Sequence, residues 1–417
     1  MKPAGHLDPQ PWMMADDTRA VLAALRAEGT EVRFVGGCVR DSLLHRPVKD
    51  VDIATPDTPE TVLRLLRQSG LKAIPTGLHH GTVTAVSDHH PFEITTLRED
   101  VETFGRHARV AFTDDWTADA ARRDFTMNAM FLAPEGAIYD PFDGLPDLRA
   151  GRVRFVGEPA QRIQEDYLRL LRFFRFHAHY GHGAPDADGL RAATAFAPHL
   201  VELSGERIRE ELLRLLSAPD PAPVLRDMLA HGILAAILPE AKLAERLDAL
   251  VGLERPAGVA GDPILRLAAL LETDRAGAED VAERLRFSRR EARWLADLLA
   301  PARDVGIGDS GSALRRAMYR LGPELVRDLL LLAAASRKAE GELVDGERLT
   351  AALAEVAAWT PRHLPIGGAD AQAVGISPGP EMGAALRAVE RWWEERDFVP
   401  DRAACLAKLR EVAERRS

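Results

Sequence analysis

Hydrophobic and polar positions change their rhythm once along this chain, near residue 150. Before that point, runs at 31–35, 49–54, 82–86 and 92–97 carry β-branched and aromatic residues at a period close to two, which predicts strands. Pro59–Gln68 lies between them, with proline in its first turn and a stop at Gly70, the punctuation of a helix. Beyond residue 150 the period lengthens to that of amphipathic helices rich in Leu, Ala and Arg, over 163–178, Gly205–Leu216, Ala222–Ala230, 264–271, 278–285, 289–299, 311–321 and 323–335. Proline and glycine breaks fall at 181–188, 255–263, 301–311 and 361–368. No fixed-period repeat stands out, so the expectation is a small α/β head on a helical body and not a solenoid.

The head holds the most informative stretch. Val32, Phe34 and Val35 enter Gly36-Gly37, and Val39, Leu43 and Leu44 follow at helical spacing, so the glycines mark a strand-to-helix turn whose backbone N–H groups, with Arg40 beside them, make a cradle for phosphate. Further on, Val51 and Ile53 alternate with Asp50 and Asp52. Strand periodicity then sets both carboxylates on one face, about 7 Å apart, where they repel unless a cation such as Mg²⁺ lies between them. Glu93 alternates out of the apolar run at 92–97 and is a candidate third carboxylate. The order and spacing of these parts resemble the nucleotidyltransferase superfamily that includes DNA polymerase beta.

Composition narrows the class. The chain has 417 residues, room for two or more cores. Its two cysteines, Cys38 and Cys405, are too few and too far apart for a disulfide framework or a zinc site. No apolar run approaches a membrane span and the first residues lack a signal-peptide core, which leads to an expectation of a cytoplasmic protein. The formal net charge of −10 weighs mildly against a nucleic-acid partner, because binding uses a patch and not the whole surface. Arginines do cluster, at Arg122-Arg123, from Arg162 to Arg175, at Arg207, Arg209 and Arg214, and at Arg315-Arg316.

Three further motifs sharpen the resemblance. Asp119-Ala120-Ala121-Arg122-Arg123-Asp124-Phe125-Thr126-Met127-Asn128 follows the head strands, then Asp140-Pro141-Phe142-Asp143-Gly144, then Glu165-Asp166-Tyr167-Leu168-Arg169-Leu170-Leu171-Arg172-Phe173-Phe174-Arg175, with Ser204-Gly205-Glu206-Arg207 in support. In this order, over roughly residues 30–235, they resemble class II tRNA nucleotidyltransferases, the CCA-adding enzymes, and the related bacterial poly(A) polymerases. The resemblance implies an α+β protein with a nucleotidyltransferase head (1–150) followed by an elongated all-α neck (151–235), body (236–360) and tail (361–417). It implies metal-dependent addition of C, C and A to the 3′ end of tRNA from CTP and ATP, with Mg²⁺ on Asp50 and Asp52. No membrane and no protein partner are expected.

The same resemblance assigns roles. Gly36, Gly37 and Arg40 hold phosphate, Arg123 contacts the nucleotide, and Asp124 and Asn128 face the ribose. Asp166 and Arg169, neighbours at i, i+3 on one helix face, read the base edge. Cytosine and adenine each present an amino donor beside a ring-nitrogen acceptor, whereas guanine and uracil present a carbonyl and a ring N–H, so one acceptor and one fork of donors separate the pairs. Arg172 and Arg175 continue round the helix to reach the triphosphate or brace the pair. The segment from Arg98 to Trp116, with Gly105-Arg106-His107, looks like the family's flexible loop, which goes with the switch from C to A addition. A poly(A) polymerase, which tends to carry a basic C-terminal extension, and a partial A-adding or CC-adding enzyme are the alternatives. Here the only basic tip is Arg415-Arg416.

Overall fold

A computed structural model describes residues 1–104, 107–300, 305–306 and 311–415. The chain packs as two units, Met1–Pro239 and Glu240–Ser417.

Among the described residues, ten strands lie in the first unit: β1 (Gly5–His6), β2 (Arg33–Val35), β3 (Val51–Thr55), β4 (Lys72–Gly77), β5 (Thr82–Ser87), β6 (His90–Thr96), β7 (Arg98–Phe104), β8 (His107–Phe112), β9 (Phe131–Leu132) and β10 (Ala137–Tyr139). Eight of them form one mixed sheet in the order β1-β10-β9-β2-β3-β6-β5-β4, in which only β3 and β6 run parallel. The parallel pair needs a crossover, and Pro59–Gln68 lies within it, capped by Thr58 and closed at Gly70, whose φ of 75° suits glycine. Strands β2 and β3 are central, so Phe34 and Ile53 are fully buried. Val35, Ala54, Leu97, Ala120, Ala129, Phe131 and Val156 make a compact cluster under the region that carries the glycine pair.

The expected strands are present, with shifts. Strand β3 begins at Val51, so Asp50 stands just ahead of it. β4 and the short β1, β9 and β10 escaped the reading because they are brief or carry exposed residues without clear alternation. The segment read as a flexible loop is, in its described part, the antiparallel hairpin β7–β8; Gly105, Arg106 and the side chain of His107 lie outside the described residues.

One correction concerns the helix at 163–178. It is two helices, Pro159–Glu165 and Leu168–Tyr180, and the chain turns between them at Asp166, whose backbone is extended (φ −156°, ψ 109°). The Asp166 carboxylate accepts the Leu168 N–H at 3.1 Å, so it behaves like a residue capping the second helix. Leu168–Tyr180 then buries Leu170, Leu171, Phe173, Phe174 and Phe176, and packs against Gly205–Leu216.

The second unit is helical throughout its described residues, from Ala244–Glu254 to Arg402–Glu414. Two apolar clusters support it, one around Leu314, Met318, Val326 and Leu330 and one around Val389, Trp393, Phe398 and Leu409. Among the described residues no helix is long and apolar enough to cross a membrane.

Candidate functional site

The glycine pair sits where the sequence analysis expected it, between β2 and the helix Gly37–Leu43. Gly36 has φ 75°, ψ −128°, a conformation that L side chains rarely adopt. A Cβ there would stand 3.7 Å from both Asp52 Oδ2 and Arg123 Nη1. The turn therefore brings the backbone of β2 up to the carboxylate of β3 and to a guanidinium from the segment after Trp116–Ala121.

In the parallel ladder of β3 and β6, Asp52 pairs in register with Glu93, so the two point to the same face on neighbouring strands. Burial, and after it the charge of Glu93 with a smaller push from Asp50, raises the Asp52 carboxyl to about 6 against the opposing pull of Arg123. Adjacent carboxylates at that cost fit a hard divalent cation. Among the described residues no three His, Cys, Asp or Glu side chains already form a group that could hold one. The donor set suits an ion that takes one or two carboxylates and completes its shell with water and substrate phosphates, as Mg²⁺ does.

A polar chain ties the head to the helix Leu168–Tyr180. Arg40 donates through Nε and Nη2 to both Asp41 oxygens at 2.9 and 3.0 Å, and through Nη1 to Asn128 Oδ1 at 2.8 Å. Asn128 Nδ2 donates to Asp124 Oδ1 at 3.1 Å, and Arg172 Nε donates to Asp124 Oδ2 at 2.8 Å. Burial by itself would raise the Asp124 carboxyl, but the Arg172 charge and the hydrogen bonds from Asn128, Arg172 and the Phe125 backbone outweigh it and hold the group down at about 2. A carboxyl lowered from 3.8 on folding stabilises fully above about pH 4, and that contribution is lost as pH falls through 2. Arg172→Gln is therefore expected to cost at least about 2 kcal/mol at pH 7. Urea midpoints should show the gap to wild type shrinking between pH 4 and pH 2; a constant gap would detach the pH dependence from this pair.

Asp166 and Arg169 do not pair with each other. Asp166 Oδ2 accepts from Arg207 Nη2 at 2.7 Å, while Arg169 Nη1 donates to Glu165 and to the Arg162 carbonyl, the latter at 3.1 Å. The reason is the break before Leu168, which takes Asp166 off the helix face that Arg169 occupies. Arg162 in turn donates to the Arg122 and Arg123 carbonyls, and buried Asp119 receives Arg122 Nε at 2.9 Å and Arg123 Nη2 at 3.0 Å.

These groups open onto one cleft of about 500 Å³. Gly36, Gly37, Arg40 and Asp52 line one side of it, Arg123, Asp124 and Asn128 another, and Asp166, Arg169 and Arg172 the third. Asp50 and Glu93 are not in its lining, and Arg175 turns to Glu211 on Gly205–Leu216, Nε to Oε2. Arg207 and Arg122 line the cleft as well, and Asp119 and Glu165 hold its arginines; the sequence analysis assigned none of these four a role. Arg207 did lie in a quoted motif, and an arginine amid a run of acidic neighbours was the available signal. The arginines and the backbone N–H groups of the glycine turn give the cleft the donors and positive charge that an anion needs.

Known proteins resemble this chain in sequence and in fold. Residues 32–154 match the family described as the poly A polymerase head domain, and residues 185–244 match the one described as a probable RNA and SrmB-binding site of polymerase A. The mitochondrial CCA tRNA nucleotidyltransferase 1 of Mus musculus is 34% identical over 408 residues, 96% of this chain and 91% of that protein. The CCA-adding enzyme of Streptococcus gordonii is 34% identical over 374 residues, 89% of this chain and 90% of that protein. The crystal structure of the Bacillus stearothermophilus CCA-adding enzyme in complex with CTP superposes with a TM-score of 0.78 at 27% identity, over 98% of this chain and 99% of that one. With a third of its residues shared over nearly its whole length, and with the glycine turn, the paired carboxylates and the arginine-lined cleft in one unit, the chain belongs to the family of CCA tRNA nucleotidyltransferases, the CCA-adding enzymes.

Proposed function

We propose that this chain adds C, C and A to the 3′ end of tRNA from CTP and ATP without a nucleic-acid template, in the cytoplasm. The observation that carries the reading is the single cleft in which Asp52 and Gly36-Gly37 face Asp166 and Arg169. In it, a triphosphate and the edge of its base are met at once, so the protein stands where a template would. Asp166 accepts the amino group of cytosine or adenine and Arg169 donates to the ring nitrogen beside it. The carbonyl of uracil or guanine would face the Asp166 carboxylate, a repulsion that rejects it. Family likeness supports the same assignment, since the relatives are CCA enzymes and the solved neighbour is a complex with CTP; none of these favours poly(A) addition.

The chemistry is displacement at phosphorus. The tRNA 3′-oxygen bonds the α-phosphorus as its hydroxyl proton is lost, and the bond from that phosphorus to the bridging oxygen breaks, releasing pyrophosphate with the bonding pair. Asp50 and Asp52, with Glu93 in register beside Asp52, are the groups that would hold Mg²⁺, which would offset the charge that builds on the phosphoryl oxygens. Arg123, kept in place by Asp119, adds a fixed positive charge beside Asp52, and the chain Arg40–Asn128–Asp124–Arg172 keeps head and helix in register around the nucleotide.

The test uses tRNA transcripts lacking CCA, lacking CA and lacking only the terminal A, with each NTP given alone and all together, followed by sequencing of the 3′ ends. Completion of CCA on all three, and no extension past it, is the expected result. Long A tracts, or arrest after CC, would overturn it.

A further inference from the structure

Arg162, Glu165 and Asp119 stand behind the nucleotide cleft and take no part in its lining. Arg162 touches the chain on two sides of it. The residue lies on the helix Pro159–Glu165 with its side chain only 9% exposed. Its Nη2 donates to the Arg122 carbonyl and, at 2.6 Å, to the Arg123 carbonyl, across 40 and 39 residues of chain. Those carbonyls belong to the peptide planes immediately before and after the Arg123 Cα. A residue has only two soft backbone dihedrals, so holding both flanking planes fixes φ and ψ of Arg123 and the direction in which its side chain leaves. That side chain ends at the glycine turn, where a Cβ on Gly36 would lie 3.7 Å from both Arg123 Nη1 and Asp52 Oδ2.

The other arm of the same guanidinium faces the base-reading side. Arg162 Nη1 donates to Glu165 Oε2 at 2.5 Å, and that oxygen also accepts from Arg169 Nη1. Arg169 meets the Arg162 carbonyl at 3.1 Å and, through Nη2, the Arg122 carbonyl at 3.5 Å. Arg123 and Arg169 are thus fastened to one planar group whose donors leave in fixed directions. Apolar packing would brace this helix against the head at less cost than burying a guanidinium does. What a buried fork adds is direction, because moving either arm moves the other.

We infer that Arg162 is a positioning residue for nucleotide selection, one that keeps Arg169, at the base edge, in register with Arg123, beside the reacting phosphate. The inference rests on the reading of the cleft given above. It makes base choice and transfer rate depend on one shared set of contacts outside the cleft. A displacement of about 1 Å at either arginine is enough to cost on the order of a hundredfold in rate. Lysine in this place would keep the charge and lose the fork.

Arg162→Lys, Glu165→Gln and Asp119→Asn, singly and combined, test this through turnover with CTP, KM for CTP and for tRNA, and competition of CTP against UTP. Arg162→Lys is expected to lower turnover by about ten- to a hundredfold and the preference for CTP by about tenfold, with KM for tRNA unchanged. A variant that changes only one of these two, or merely melts lower and changes neither, would overturn the inference. Asp119 holds the side chain of Arg123 and Glu165 holds Arg169, so Asp119→Asn should cost mainly turnover and Glu165→Gln mainly preference. Linked through Arg162, the two together should depart from the product of their separate effects by about threefold or more, and the departure should vanish when Arg162→Lys is added. Should Arg162→Lys fail to fold, the Asp119–Glu165 cycle decides the matter: effects that simply multiply would overturn the link. Equilibrium binding of CTP, ATP and UTP with no tRNA present keeps this outcome apart from the proposed function. A wild type that added only A would defeat that reading, while the ATP-over-UTP binding ratio of Arg162→Lys would still test the residue.

Discussion

Asp52→Asn is expected to melt at a higher temperature than the wild-type protein and to incorporate no nucleotide. The carboxylate is partly buried, pairs in register with Glu93 and is pushed up to about 6, so its ionised form is a cost that folding carries at neutral pH. Replacing it with an amide of the same shape removes the charge without opening a cavity, a gain on the order of 1–2 kcal/mol once screening of its open side is allowed for. The loss of activity comes from the same charge. A metal ion held by this oxygen would offset the charge on the reacting phosphate group, an effect worth several kcal/mol of barrier, so turnover should fall by at least about a thousandfold. Asp50→Asn should lose activity similarly but gain little stability, because Asp50 is exposed ahead of β3. Thermal melts in EDTA and incorporation of labelled CTP at saturating Mg²⁺ measure the two effects. A variant that melts lower and still extends tRNA would remove Asp52 from the site.

Asp166→Ala is expected to lose its choice of base more than its speed. The carboxylate is anchored at both oxygens, to the Leu168 N–H at 3.1 Å and to Arg207 Nη2 at 2.7 Å, which fixes its plane and leaves its remaining lone pairs to the cleft. A hydrogen bond to a charged partner is worth about 1.5–3 kcal/mol, and discrimination of CTP against UTP should fall by roughly ten- to a hundredfold. Arg207→Ala should move selectivity in the same direction by a smaller amount, since it leaves the acceptor present but free to turn. If the Asp166–Arg207 pair served only to brace the two helices, both variants would melt lower with the preference for CTP intact, and competition assays with CTP and UTP would show it.

Much of the architecture is visible in one dimension because it follows from local periodicity. The switch from period two to helical spacing near residue 150 predicts the α/β head and the helical remainder, and the observed sheet and helices follow it to within a few residues. Gly36 is legible because φ 75°, ψ −128° at a turn between strand and helix strongly favours glycine, and Asp52 because a charge in an apolar strand calls for a partner. The sheet order is not legible. That β3 and β6 are parallel neighbours, which sets Glu93 against Asp52, depends on a crossover whose direction no local pattern encodes.

Sequence by itself therefore determined the motifs, their order and the kind of chemistry they serve, since these rest on residue types at short separations. Tertiary structure decided how the charges are shared. Arg40 meets Asn128 across 88 residues, Arg172 meets Asp124 across 48, and Arg207 meets Asp166 across 41. At i, i+3 an Asp and an Arg on a helix would be expected to face each other, and here a single extended residue at Asp166 redirects both to other partners. The reason is energetic: in a partly buried cleft each ionised group takes the partner that best offsets its desolvation, and which partner is within reach is settled by how the helices pack, not by spacing along the chain.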